Sequence, residues 1–168
     1  ILNSQIATME LNPYWNIPVS IVKEILPDIQ ANPKYLADNG IKVFNVNGNG
    51  QYSEVNPKTI DWKNAGQKIF KLRFREDPGE SNALGRYKFI FDNKCGIYLH
   101  DSLAQSAFDE SNRALGHGCI RVSEVDDFAN FLIKTNKGWD SNRLKTELDS
   151  KKHQFIKFSK PVQLYIVY

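Results

Sequence analysis

The 168-residue chain carries 22 Lys and Arg against 19 Asp and Glu, a formal net charge of +3, with 41% hydrophobic and 24% charged residues. That balance fits one globular domain with enough apolar material for a sizeable core and excludes a disordered chain. The mild charge suits an anionic polymer but lacks the concentrated basic face of a nucleic-acid binder, and no apolar run of about 18 residues could span a membrane.

In chain order, Pro13 and Pro18 bracket an extended segment. Ile21, Val22, Ile25, Leu26 and Ile29 then recur at helical spacing, with Pro18 suited to a first helical position and Pro27 expected to divide the helix into two pieces. Asn32-Pro33 opens a further short helix that Gly40 closes, and Asn45 to Gly50 is turn chemistry after Ile41-Lys42-Val43-Phe44. Phe70, Leu72 and Phe74 alternate with Lys71, Arg73 and Arg75, the period of a half-buried strand. Tyr87, Phe89 and Phe91 alternate again, and Asp92-Asn93-Lys94 turns the chain into Gly96-Ile97-Tyr98-Leu99-His100, which predicts a hairpin ending at His100.

Residues 101–118 read as a long loop anchored by Phe108 and Leu115. Ser123 is placed to cap a helix, with Asp126 three residues on, and Val125, Phe128, Ala129, Leu132 and Ile133 form its apolar stripe up to Gly138. A second helix is expected near Ser141 to Asp149, and Val162 to Val167 reads as a final strand. The sum is an α+β chain.

The chemistry concentrates in Gly116-His117-Gly118-Cys119-Ile120-Arg121 and in Ile97-Tyr98-Leu99-His100-Asp101. A cysteine set among small residues, with a histidine at the end of an apolar strand, suits nucleophilic acyl transfer. The attacking species is the thiolate, and a free thiol of pKa about 8.5 needs an imidazole to take its proton. His100 is the candidate base, ahead of His117, which fits loop orientation or substrate contact. Gly118 allows a sharp turn that aims the amides of Gly118 and Cys119 at a developing oxyanion.

Blander readings apply elsewhere. Cys95 is expected to be a small packing residue at a turn, and both cysteines are expected to be free, since pairing would block Cys119. His153 reads as a surface residue, while Trp62 and Trp139 read as packing. A zinc site from Cys95, Cys119, His100 and His117 is disfavoured, because only His117 and Cys119 form a short ligand pair. No metal and no cofactor are expected.

The pattern of His100, eighteen residues, then Cys119 within His117-Gly118-Cys119-Ile120-Arg121 resembles the L,D-transpeptidase catalytic domain, the YkuD family. Asn12-Pro13-Tyr14-Trp15-Asn16-Ile17-Pro18, Asn82-Ala83-Leu84-Gly85-Arg86-Tyr87-Lys88-Phe89 and Arg113-Ala114-Leu115 look like its large periplasmic branch, typified by YcbB. The resemblance implies a mainly β-sandwich catalytic domain over 1–168, with an inserted, partly helical capping flap over about 19–67 and helices after the nucleophile. Only residues 1 to 11 stand where members usually open with several strands, so the expectation is either a sandwich with fewer strands or a piece of a longer protein.

Carried over by position, Cys119 would attack the carbonyl preceding the terminal D-alanine of a tetrapeptide stem. His100 would act as base and the main-chain carbonyl of Asp101 as the third member. Arg121, His117, Tyr98 and Trp15 would border the substrate, and the partner would be peptidoglycan. A neighbouring diaminopimelate amine would release the thioester as a 3-3 crosslink, water would make the chain an L,D-carboxypeptidase, and an inert site would make it a wall-binding module. Carbapenems are the expected covalent inhibitors. The location implied is the periplasm, with any membrane attachment through an anchor encoded upstream. Gly116 departs from the usual Ser or Thr of the motif, and activity is expected to survive this.

Overall fold

A computed structural model describes residues 2–114 and 116–167; the expected anchor Leu115 lies outside them. The elements run β1 (Leu2–Leu11), β2 (Trp15–Ile17), α1 (Val19–Ala31), α2 (Tyr35–Asp38), β3 (Ile41–Val46), β4 (Tyr52–Val55), β5 (Leu72–Glu76), β6 (Tyr87–Phe91), β7 (Leu99–His100), β8 (Ile120–Arg121), α3 (Val125–Ile133), α4 (Ser141–Asp149) and β9 (Gln154–Ile166). Short 3-10 turns occupy Pro57–Thr59, Trp62–Asn64, Gly66–Lys71 and Gln105–Phe108. The fold is α+β and divides into two compact units, residues 14–77 and residues 1–13 with 78–168. The segment 19–67 lies inside the first.

In the 14–77 unit an antiparallel sheet of order β2-β5-β3-β4 carries α1. Ile17, Val43 and Phe74 from the sheet and Val22 and Ile29 from α1 form its core. The break expected at Pro27 does not occur, and α1 runs unbroken through it. A helical proline costs about 3 kcal/mol, but Val22 and Ile29 are buried on either side of it and hold both halves on one core. Pro18 is the cap residue, one position before the helix. Leu72 and Phe74 are buried strand positions as the alternation predicts, whereas Phe70 sits in the Gly66–Lys71 turn, exposed, with the Lys23 ammonium 4.7 Å from its ring centroid. Trp62 packs against this core.

The other unit is built on a five-stranded sheet of order β8-β7-β6-β1-β9. All neighbours are antiparallel except β7 and β8. That exception follows from the long loop between them, since two parallel strands need a crossover connection. The predicted hairpin is present, with Lys88 opposite His100 and Phe89 opposite Leu99. β1 lies between β6 and β9, and an irregularity between Ile6 and Thr8 shifts its register. Such an extra residue reverses the parity of inward positions, which puts Ile6 in the same core as Met9 and Leu11.

One face of this sheet presents Met9, Phe89 and Leu99 in register to α3 and α4, which contribute Val125, Ala129, Leu132, Ile133, Leu144 and Leu148. Trp139 packs at its margin. The cap of α3 differs from the expectation. Glu124, in the left-handed region at φ 47°, precedes the helix, and no side chain caps it, Ser123 included. α3 ends at Ile133 rather than near Gly138. Asp140 caps α4 by accepting from the Arg143 amide. The last strand starts at Gln154, earlier than predicted, because Ile156 and Phe158 also enter the core.

Candidate active site

His100 closes β7 at 8% exposure. Its Nδ1 lies 2.5 Å from the Asp101 carbonyl oxygen. A carbonyl only accepts, so Nδ1 carries the proton and Nε2 is left with the lone pair. Burial holds the imidazole below the usual 6.5; the Asp101 carbonyl opposes this, and the nearby Arg121 and Lys88 cations reinforce it. The ring is therefore neutral at physiological pH and able to accept a proton.

β8 runs parallel to β7, with Leu99 opposite Ile120 and His100 opposite Arg121. The Ile120 amide donates to the Tyr98 carbonyl at 3.1 Å and the Val122 amide to the His100 carbonyl at 2.9 Å. Alternation then sorts the side chains. Leu99 and Ile120 belong to the core, while His100 and Arg121 lie on the opposite face. Cys119 immediately precedes β8, two residues before Arg121, and the amide of the next residue, Ile120, is the one bonded to the Tyr98 carbonyl. The ring of Tyr98 meets that of His100 edge-on at 5.8 Å.

Cys119 is free and half-buried. It opens onto a cavity of about 390 Å³ whose wall includes Phe108, Arg113, Gly116 and Arg121. Two guanidinium groups on one wall suit carboxylates. Gly118 has φ 115°, a backbone that side-chain-bearing residues rarely adopt, although space around it is open. The glycine is thus required by conformation rather than by crowding. At Gly116 neither constraint applies, since an added Cβ would rest 3.5 Å from the Cys119 carbonyl. His117 is exposed.

The loop that carries the Asp101 carbonyl is held by the Asp101 side chain. Its carboxylate accepts from the Arg86 amide at 2.9 Å and the Ser102 amide at 2.7 Å, and its own amide donates to the Tyr87 carbonyl at 3.0 Å. Gly85, at φ 64°, is where this contact is closest. A Cβ there would lie 2.3 Å from the Asp101 carboxylate. Asn82, fully buried, sets the same turn by donating to the Pro13 carbonyl and accepting from the Leu84 amide. Asn82, Gly85 and the Asp101 carboxylate thus acquire a structural reason that spacing alone did not supply. Arg113 is a further site residue that sequence reasoning passed over, its only signal being a place in a matching tripeptide.

Trp15 belongs to the 14–77 unit, in β2 opposite Glu76; the remaining candidate residues all belong to the other unit. Two readings need correction. Cys95 is exposed rather than packed, because it sits in the turn that Asn93 organises through the Cys95 and Ile97 amides. His153 is not a free surface residue, since its Nε2 lies 2.7 Å from the mostly buried Glu10 carboxylate. Among the described residues no three His, Cys, Asp or Glu side chains cluster as metal ligands, and no helix is long and apolar enough to cross a membrane.

The family model for the L,D-transpeptidase catalytic domain, YkuD, matches residues 1–140. A Haemophilus influenzae protein named "Putative L,D-transpeptidase" is 37% identical over 170 residues, covering 99% of this chain and 33% of that protein. The chain thus spans about a third of that relative. With a carbonyl-oriented histidine at the end of β7, a motif cysteine directly before the parallel strand β8, and a family match over most of its length, the chain belongs to the L,D-transpeptidase catalytic-domain family.

Proposed function

We propose that this domain is a peptidoglycan L,D-transpeptidase that forms 3-3 crosslinks between diaminopimelate residues through a thioester on Cys119. The observation that carries the reading is the Nδ1 contact of His100 with the Asp101 carbonyl, which leaves Nε2 as proton acceptor at the end of β7, the strand paired with β8 directly after Cys119. The Cys119 proton passes to Nε2 and the thiolate adds to the carbonyl before the terminal D-alanine. The amides of Gly118 and Cys119 receive the oxyanion. Collapse breaks the amide bond, and the proton held on His100 goes to the departing D-alanine amine. In the second half, His100 takes a proton from the acceptor amine as that nitrogen attacks the thioester, and Cys119 leaves as the thiol.

Arg121 is assigned to a stem carboxylate, and Tyr98 and His117 to the borders of the substrate. The polymer acted on places the reaction in the bacterial cell envelope, on the periplasmic side. Carbapenems are proposed to acylate Cys119 in the same way as the stem, by ring opening onto the thiolate.

The test is intact-protein mass spectrometry with a disaccharide tetrapeptide, wild type beside Cys119→Ala, followed by product analysis. Loss of D-alanine that depends on Cys119, together with a dimeric product, supports the reading. A tripeptide as sole product would indicate an L,D-carboxypeptidase, and stoichiometric binding without turnover a wall-binding module.

A further inference from the structure

The strand register lines up four polar side chains in one row across the sheet. Glu10 in β1 is opposite Lys88 in β6, Lys88 is opposite His100 in β7, and His100 is opposite Arg121 in β8. The row on the other face, one residue along, is Met9, Phe89, Leu99 and Ile120, all of it core. Glu10 is only 4% exposed. Its carboxylate sits 3.3 Å from the Lys88 ammonium and 2.7 Å from His153 Nε2. The Lys88 ammonium in turn lies 4.6 Å from the Tyr98 ring centroid, and the Tyr98 ring meets His100 edge-on. A contiguous path therefore runs from His153 through Glu10, Lys88 and Tyr98 to the imidazole.

Burying a carboxylate and pairing it gains little stability over an apolar pair of the same size, so the packing of the sheet does not account for this arrangement. Its end point does. We propose that Lys88, held by a Glu10 carboxylate whose other oxygen is taken by His153, is a positioning residue for His100 that holds Tyr98 against the imidazole. The inference rests on the reading of His100 as the general base.

The groups facing His100 are Tyr98 and Asp101 from its own segment, Lys88 from β6 and Arg121 from β8. Of these, Lys88 is the one reached through the Glu10 clamp. Its charge acts in the direction that lowers the affinity of the imidazole for a proton, as does that of Arg121.

The test compares Lys88→Met, Lys88→Arg and Glu10→Gln with wild type. An NMR titration of the His100 imidazole is read alongside single-turnover acylation of Cys119 by the disaccharide tetrapeptide. Lys88→Met is expected to raise the His100 titration midpoint and to slow acylation about 10- to 100-fold, the scale of a misplacement approaching 1 Å, with little change in substrate affinity. Lys88→Arg, which keeps the cation over the ring, is expected to restore most of both, and Glu10→Gln to fall between. An unchanged midpoint together with an unchanged rate in a folded Lys88→Met protein would overturn the proposal. So would an Arg variant as impaired as Met. If wild type itself transfers no acyl group, the reading of the active site fails, while the titration still decides whether Lys88 acts on His100.

Discussion

Replacing the Asp101 side chain separates what its carboxylate does from what its carbonyl does, because Asp101→Ala keeps the main-chain oxygen that faces His100. The carboxylate, on a residue 6% exposed, accepts from the Arg86 and Ser102 amides. Removing it leaves two amide donors without their partner, and a buried donor left unmade costs about 1–3 kcal/mol. The Arg86 amide is only partly buried and can recruit water, so a total of about 2–4 kcal/mol is expected. At roughly 2–4 °C per kcal/mol for a chain of this size, the melting temperature should fall by about 4–16 °C.

The catalytic consequence is of the same size as the structural one. Once residues 101 and 102 are released, the carbonyl that fixes the His100 tautomer can shift, and about 1 Å of misplacement can cost roughly 100-fold in rate. Calorimetry and single-turnover acylation of Cys119 read the two effects on the same sample. Asp101→Asn, which keeps one carbonyl oxygen as acceptor, should lie between Ala and wild type on both. An Asp101→Ala protein that melts and acylates like wild type would refute the reasoning, since it would mean that the Asp101 loop holds its shape without the carboxylate.

Gly85→Ala should reproduce the Asp101→Ala phenotype from the opposite side of the contact, because its Cβ would lie 2.3 Å from the Asp101 carboxylate and its φ is 64°; the left-handed backbone alone costs about 1–2 kcal/mol, measurable by denaturant unfolding. Gly116→Ser should fold and acylate within about 2-fold of wild type, a change under roughly 0.5 kcal/mol, as its Cβ meets only an ordinary contact. The His100 imidazole must be neutral to accept a proton, and its pKa is depressed below 6.5. Activity is therefore retained as pH falls to 6.5 and lost only as pH drops through the depressed value, with kcat/KM against pH as the readout. Pro27→Ala should stabilise α1 by up to about 3 kcal/mol, seen as a raised melting temperature with unchanged acylation.

Much of the molecule could be read from local sequence. The hairpin of Tyr87–Phe91 with Leu99–His100 and the stripe of Val125, Ala129, Leu132 and Ile133 follow from short-range periodicity. The sequence was misleading where tertiary burial outweighed a local rule, as at Pro27, or where a stretch of alternation ran past the end of the strand, as at Phe70. At Ser123 a cap expected from residue type was displaced by the left-handed Glu124.

The candidate nucleophile and base were legible because thiol chemistry demands a particular set of residue types, and those residues lie in two short segments that the sequence shows directly. That His100 Nε2 is the free nitrogen, that Gly85 must yield to the Asp101 carboxylate, and that Glu10 and Lys88 stand in line with His100 were decided only by the tertiary structure. Each depends on which residues of separate strands and loops fall opposite one another. Glu10 and Lys88 are 78 positions apart in the chain, and their pairing is set by the irregularity between Ile6 and Thr8, where one residue of slip would turn Glu10 from the polar face into the core.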